Sequence, residues 1–248
     1  MTGGIEALRP QLQLGTDPET ISQFSIPHYL RHNQRRLEHL VSLGLPMAGK
    51  SVLELGAGVG DHTSFFLDRG CAVAATEGRP ENVEILHKRF SWIHVSQLDM
   101  DHPSAKNLPM TNFQIIYCYG LLYHLKNPAE AIKFMAEHCV ETLLLETCVS
   151  FGSGEHVNLC AEPALNATQA MSGTGCRPTR DWIFGELLKG FPFVYMPLTQ
   201  PYHEEFPLDW SSRDPSIPLS RAVFIASKQP ISNPVLVAEI PMLQTRHA

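Results

Sequence analysis

Residues 52–61 read VLELGAGVGD, an apolar run that meets an acid and then turns through three glycines. The run predicts a buried parallel strand, and the G-x-G-x-G spacing indicates a turn that brings backbone amides close to a ligand. Asp61 is expected to cap the following helix, which Gly70 ends. A pyrophosphate site would have G-x-G-x-x-G spacing, and Glu54 would repel it. The stretch therefore favours a nucleoside ligand that carries an ammonium or a sulfonium.

A second apolar run, CAVAATE, ends at Glu77, about 20 residues after Gly56. That distance suits an acid that accepts hydrogen bonds from both hydroxyls of a ribose. A glycine-rich loop alone can be a structural turn. A loop that lies between two strands, with the acid in place, predicts a binding site for a nucleoside cofactor.

Length and composition indicate one α/β domain over residues 1–248, with 44% hydrophobic residues, as expected of a folded core. The net charge of −6 argues against tight polyanion binding, so nucleic acid is not an expected partner. The six cysteines have no CxxC spacing and look like buried apolar residues of a reducing compartment. No membrane-spanning run and no signal peptide are evident, which predicts a cytoplasmic protein.

Residues 1–44 are predicted to comprise a polar leader, residues 1–20, and a lid helix, residues 24–43. Apolar residues at helical spacing predict the buried side of the helix: Leu30, Leu37, Leu40 and Val41. If the helix covers the active site, Tyr29, His28 and His32 are candidates to reach it. A solvated helix face is the simpler explanation of these residues.

The fourth predicted strand, residues 113–119, leads into GLLYHLKNP, in which Asn127 is expected to cap a helix. Tyr123 and His124 then lie at the carboxyl end of this strand, where an open α/β sheet binds its substrate. His124 is the candidate general base for a hydroxyl nucleophile. Both side chains could instead hydrogen-bond to backbone groups and shape the loop.

Insertions at residues 151–180 and 200–220 follow strands 5 and 6 and are too long for simple connections, so we expect them to select the substrate. The substrate candidates are Tyr29, Tyr123, His156, Arg177 and His203, of which His156 and His203 are alternative bases. The run His203-Glu204-Glu205 could suggest a metal. However, adjacent residues point in different directions and no second ligand cluster is evident, so no metal site is predicted. Residues 230–248 are a tail that offers contacts to a neighbouring subunit of an oligomer.

Around ELGAGVGDHT the chain resembles the class I S-adenosylmethionine-dependent methyltransferases, over residues 45–150. The resemblance implies a Rossmann-like, seven-stranded, mostly parallel sheet with helices on both faces, and S-adenosyl-L-methionine as cofactor. It also implies that the loop contacts the methionine part, Glu77 the ribose and Asp99 the adenine amino group. The implied cofactor residues are Glu54, Gly56, Ala57, Gly58, Gly60, Glu77, Gly78, Leu98, Asp99, Met100, Tyr119 and Gly120.

Narrower resemblances concern the methyl acceptor. GLLYHLKNP, LLLET and CRPTRDWIFGELLKGF are similar to the tRNA wobble-uridine carboxymethyltransferases, which use a carboxylated cofactor. That group tends to carry a basic pair where this chain has only Lys126. IASKQPISNPVL resembles methyltransferases of sugar and polysaccharide modification. The leading hypothesis is methyl transfer to the hydroxyl of a small molecule such as a sugar. The alternatives are tRNA modification and a non-catalytic cofactor-binding subunit.

Overall fold

The computed structural model describes residues 23–247, so the predicted polar leader, residues 1–20, lies outside the described residues. The helices are α1 Pro27–Ser42, α2 Thr63–Leu67, α3 Pro80–Arg89, α4 Pro128–His138 and α5 Arg180–Gly190, with 3-10 turns at Ala105–Asn107 and Leu122–His124. The strands are β1 Ser51–Leu55, β2 Ala72–Glu77, β3 His94–Gln97, β4 Phe113–Tyr119, β5 Cys139–Val149, β6 Val157–Ala161, β7 Thr174–Pro178, β8 Phe193–Pro197, β9 Thr199–Gln200, β10 Ser220–Ser227, β11 Leu236–Val237 and β12 Thr245–Arg246. Among these helices, none is both long enough and apolar enough to cross a bilayer.

One large sheet has the strand order β11-β8-β10-β5-β4-β1-β2-β3. The strands β5, β4, β1, β2 and β3 pair in parallel, whereas β10, β8 and β11 each run antiparallel to their neighbours. The predicted Rossmann-like sheet is therefore confirmed. It has eight strands rather than the expected seven, because the tail adds β11 at one edge.

The tail packs on its own chain. Besides the pairing of β11 with β8, β12 pairs in parallel with β9, and the backbone carbonyl of Met242 accepts a hydrogen bond from the Trp210 amide at 3.0 Å. These strands thus make their backbone hydrogen bonds within the chain, and the expected contact of residues 230–248 with a neighbouring subunit stays a prediction.

Helices cover both faces of the sheet because its central strands are apolar on both sides. In β1, Leu53 and Leu55 pack with α4 and α5, while Val52 packs on the opposite face with α1 and α2. Successive side chains of a strand point to opposite faces, so each parallel strand contributes to both halves of the core. The six cysteines are free, and all but Cys160 are buried.

Helix α1 buries a polar side instead of the predicted apolar one. Leu40 is fully buried, but Leu30 and Val41 are 50% and 49% exposed. The other buried side chains of the helix are His32, Asn33, Arg36 and His39. The predicted apolar stripe is wrong because α1 lies over charged groups of the sheet: the Arg36 guanidinium is 2.8 Å from the Glu146 carboxylate in β5.

Local capping also differs from the predictions. Asp61 lies ahead of the cap position of α2 and instead pairs with Arg89 at 3.2 Å. Asn127 occupies the cap position of α4, but its side chain makes no capping bond. The carboxylate of Asp101 accepts the backbone N–H groups of Lys126 and Asn127 at 2.7 and 2.8 Å and so fixes the start of this helix.

The insertions lie at the end of the sheet where the parallel strands finish. In the first, β6 and β7 form an antiparallel hairpin, and residues 162–173 connect them. The second runs from β9 to β10 and passes against α1, where the rings of His203 and His32 have centroids 4.9 Å apart.

We expect Leu40→Ala to lower the free energy of unfolding by about 2–5 kcal/mol, because it opens a cavity in a filled core. Leu30→Ala on the exposed side of the same helix should cost less than about 1 kcal/mol. Urea denaturation of the two variants and the wild type measures both effects. Equal losses would contradict the orientation of α1.

Candidate active site

A cleft lies at the carboxyl ends of β1, β2, β3 and β4, bounded on its other sides by α1 and residues 162–173. The space within it is about 850 Å³ when the open solvent at its mouth is included. Nine of the predicted cofactor residues line it: Gly56, Gly58, Glu77, Gly78, Leu98, Asp99, Met100, Tyr119 and Gly120.

The turn after β1 requires glycine at the cleft wall. Gly56 and Gly58 have φ values of 67° and 57°, in the left-handed region that favours glycine. A Cβ at Gly56 would lie 2.9 Å from the Leu121 Cβ, and one at Gly58 would lie 2.9 Å from a ring carbon of Phe24. Glycine at these positions lets the turn pack closely against Leu121 and Phe24, which also line the cleft.

The other predicted cofactor residues lie beside the cleft. Glu54 and Ala57 line a small pocket that adjoins the cleft at Gly56. Gly60 lines neither space and packs against the segment after α3, where a Cβ would lie 2.4 Å from the Phe90 ring. Its lack of a side chain allows that close packing.

Glu54 is a buried acid whose charge depends on its surroundings. Burial raises the pKa of its carboxyl to about 7, although a hydrogen bond from the Thr63 hydroxyl at 2.6 Å opposes the rise. A cation bound nearby would favour the ionised form, since opposite charges lower a carboxyl pKa. The residue is therefore suited to respond to an ammonium or a sulfonium.

Glu77 is held in place at the end of β2. Its carboxylate accepts hydrogen bonds from the backbone N–H groups of Gly58 and Arg79, both at 3.0 Å, and from the Asn82 amide at 3.5 Å. Burial raises the pKa of this carboxyl, and the three hydrogen bonds oppose the rise. The acid thus links the glycine turn to the start of α3.

Unpaired polar atoms show that the cleft suits a polar ligand. In residues 23–247, the Tyr119 hydroxyl and the Asn82 side-chain oxygen are buried without a hydrogen-bond partner, and both residues line the cleft. A buried polar group without a partner costs about 1–3 kcal/mol, so a ligand that pairs with them gains affinity. The residues present therefore fit a nucleoside that carries hydroxyls and amines.

His124 lies in the cleft wall and is oriented by Glu162. The ring Nδ1 is 2.5 Å from a Glu162 oxygen, and Glu162 also accepts the Ala170 N–H at 2.9 Å and an Arg177 N–H at 3.0 Å. Burial lowers the pKa of His124 and outweighs the effect of Glu162. Although burial raises the pKa of Glu162, its hydrogen bonds hold it at about 2. A neutral imidazole therefore donates Nδ1–H to a carboxylate, which leaves the Nε2 lone pair available.

The predicted substrate residues are divided between the cleft and its surroundings. Tyr29 and Tyr123 line the cleft. Arg177 lies behind the wall, where it donates to the Tyr123 carbonyl at 3.1 Å. His156 is exposed outside the cleft, and His203 is buried against α1. Neither alternative base is brought to the cleft.

Several residues of the site carry no signal in the sequence. Glu162 lies 38 residues from His124, and nothing in its local pattern marks it. The lining residues of the first insertion are Ala167, Thr168, Gln169 and Met171 rather than its charged residues. The Arg79 guanidinium donates to the carbonyls of Ala164 and Gln169 at 2.8 and 3.0 Å and holds this loop over the cleft.

A family model described as a methyltransferase domain matches residues 29–175, more than half of the chain, including the glycine turn and His124. The chain belongs to this methyltransferase family. It is a class I S-adenosylmethionine-dependent methyltransferase, and S-adenosyl-L-methionine is its cofactor. No curated protein sequence matches the chain significantly.

Solved structures share the fold of this methyltransferase. The N-terminal domain of EvdMO1, in the presence of SAH and D-fucose, has a TM-score of 0.59 at 20% identity, over 82% of this chain and 85% of that one. A Burkholderia thailandensis 1,6-didemethyltoxoflavin-N1-methyltransferase has a TM-score of 0.53 at 17% identity, over 86% of this chain and 84% of that one. Magnesium protoporphyrin IX methyltransferase from Synechocystis PCC 6803 has a TM-score of 0.52 at 14% identity, over 81% of each chain. These identities show the shared fold alone.

We expect Glu77→Gln to weaken the binding of S-adenosylhomocysteine by about 5- to 100-fold, because an amide N–H₂ would face donors that now pair with a carboxylate, at a cost of about 1–3 kcal/mol. Isothermal titration calorimetry measures the change. Glu81→Gln, at a half-exposed carboxylate nearby, is the matched control and should bind like the wild type. Wild-type affinity in Glu77→Gln would contradict the role of this acid.

Proposed function

We propose that this methyltransferase acts on a hydroxyl group of a small molecule, with a sugar as the favoured class. The observation that carries the proposal is the His124–Glu162 pair in the cleft wall. A hydroxyl must lose its proton as its oxygen forms a bond to the methyl carbon, so its methylation benefits from a positioned base. A neutral amine already presents a lone pair and has less need of one.

His124 is suited to accept that proton at Nε2. Because Nδ1–H donates to Glu162 at 2.5 Å, the tautomer with a free Nε2 lone pair is favoured. The Glu162 carboxylate also stabilises the imidazolium that forms when the proton arrives. Bound S-adenosylmethionine supplies a methyl group on a sulfonium, which is the electrophile. The chain contributes mainly by holding the acceptor hydroxyl in line and excluding water.

The proposed contacts of the cofactor follow the cleft wall. Glu77 would accept hydrogen bonds from the ribose hydroxyls, and Asp99 would accept one from the adenine amino group. Glu54, in the adjoining pocket, would stabilise the positive charge of the methionine part. The side chains that remain for the acceptor are Tyr29 and Tyr123, which line the same cleft as His124.

The net charge of the chain and the elements on either side of the cleft support a small-molecule acceptor. The net charge of −6 offers no bulk attraction for tRNA. The cleft is enclosed by α1 on one side and by residues 162–173 of the first insertion on the other, as expected of a single domain whose insertions select a small acceptor. The presence of D-fucose in the EvdMO1 crystal structure favours a sugar.

We expect His124→Ala to lower the turnover number by about 10²- to 10⁴-fold, the usual contribution of a general base, with little change in the affinity for S-adenosylhomocysteine. The assay follows S-adenosylhomocysteine release with a panel of sugars, phenols and unmodified tRNA as acceptors. The control His87→Ala, at an exposed position of α3, should retain activity. Methylation of tRNA alone, or full activity of His124→Ala, would refute the proposal.

The pH dependence of kcat/KM should follow the protonation of His124. The base must be neutral, and because burial lowers its pKa from 6.5, the acid limb of kcat/KM should lie below pH 6.5. Glu162→Gln removes a charge and a hydrogen bond that raise this pKa, so the limb should move to still lower pH while the maximal rate falls. A limb that does not move in Glu162→Gln would show that Glu162 does not act through His124.

A further inference from the structure

Helix α1 and the second insertion bring together histidines that are far apart in the sequence. His28 and His32 are one turn apart on α1, so they lie on the same side of the helix. His203 packs against both, with ring centroids 5.2 Å from His28 and 4.9 Å from His32. The Glu205 carboxylate completes what we call the histidine cluster: His28, His32, His203 and Glu205.

The spacing within the histidine cluster suits a metal ion. Ligand atoms of His32, His203 and Glu205 all lie within 4.8 Å of one another. A tetrahedral ion with bonds of about 2.0–2.2 Å places its ligand atoms about 3.3–3.6 Å apart. The His28 Nε2 lies 3.4 Å from one Glu205 oxygen, and the His32 Nε2 lies 4.0 Å from the other. The first of these distances matches a tetrahedral site, and the second is somewhat longer.

Two ring nitrogens of the cluster are buried and unpaired. In the described part of the chain, the Nε2 atoms of His32 and His203 have no hydrogen-bond partner, and these residues are only 4% and 2% exposed. Unpaired buried polar atoms are uncommon and point to a missing partner. A metal at the His203 Nε2 requires the proton on Nδ1, which would end the contact that Nδ1 accepts from the Glu205 N–H at 3.3 Å. That contact is long and weak.

The imidazoles are the main candidate ligands of the cluster. A neutral imidazole is the form that binds metals, and the Nε2 atoms of His32 and His203 make no hydrogen bond in the described residues. The Glu205 oxygen that lies near His32 accepts the Arg221 Nε–H at 2.6 Å, which leaves the oxygen near His28 for an ion. Arg31 pairs with Glu204 and holds that carboxylate at the surface.

We propose that the histidine cluster binds a divalent transition-metal ion, with Zn²⁺ as the best chemical match. Three imidazoles and one carboxylate oxygen suit a borderline ion such as Zn²⁺ and not Ca²⁺ or Mg²⁺, which take mainly oxygen ligands. The ion would link α1 to residues 201–206. Because His32 also lines the cleft, it would fix that side of the cofactor site.

The sequence argument against a metal fails at one step. Within the run 203–205, His203 and Glu205 are buried and Glu204 is exposed, although the His203 Nε2 still lies 3.7 Å from a Glu204 oxygen. The second set of ligands is present, but it lies on α1, about 170 residues away in the chain. Histidines at positions i and i+4 of a helix are a known zinc-binding spacing.

Cobalt titration tests the proposal directly. The full-length chain, freed of any affinity tag and treated with EDTA, is titrated with Co²⁺ while its visible absorption is recorded. We expect one equivalent to bind with the intense ligand-field bands of a four-coordinate site, and Zn²⁺ to abolish them. This measurement needs no variant. If the wild type shows no stoichiometric binding of Co²⁺ or Zn²⁺, the proposal is wrong.

Variants locate the ion. His203→Ala should weaken Co²⁺ binding by at least about 100-fold, the upper end of what the loss of an outer-shell contact costs. His28→Ala, at the more exposed side of the cluster with 52% of its side chain accessible, tests the same site with less risk to folding. His87→Ala is the control and should bind like the wild type. Wild-type affinity in both cluster variants would place the ion elsewhere and overturn the assignment.

Discussion

A buried carboxylate, that of Glu146, joins three parts of this methyltransferase. Its two oxygens accept hydrogen bonds from Arg36 of α1 at 2.8 Å and from Arg221 of β10 at 3.1 Å. Glu146 is fully buried, and an unpaired charge in such a place costs several kcal/mol. Both arginines are therefore required where they are, and α1 is held across the end of the sheet by this charge pairing together with the apolar packing of Leu40.

The same network reaches the candidate active site. Arg221 donates to the Tyr123 hydroxyl at 3.3 Å, and the Tyr123 ring lies 3.9 Å from that of His124 between centroids. Arg221 also holds Glu205 in the second insertion at 2.6 Å. The helix over the cleft, the loop of the candidate base and the second insertion thus share one set of buried charges. A change in any of these parts is expected to affect the position of the others.

The wall of the cleft formed by the glycine turn was predictable because its signals are local. The glycines of the turn, the apolar runs on either side and Glu77 all lie within 26 consecutive residues, 52–77. Strand alternation and the steric demand for glycine act over a few residues, so the sequence displays them directly. His124 was predictable for a similar reason, since it follows a clearly apolar strand.

Long-range pairings were not predictable in this way. The apolar spacing of α1 suggested the wrong buried side, because the acid that draws Arg36 inward, Glu146, lies 110 residues away. Glu162 has no pattern around it that marks it as the partner of His124, and the histidine cluster is divided between α1 and the second insertion.

The amino-acid sequence alone determined the parallel part of the sheet and the glycine turn at the cleft, since periodicity and backbone sterics are properties of neighbouring residues. Only the tertiary structure decided which side of α1 is buried, which acid orients His124 and where the histidine cluster forms, because buried charges find their partners through space rather than along the chain.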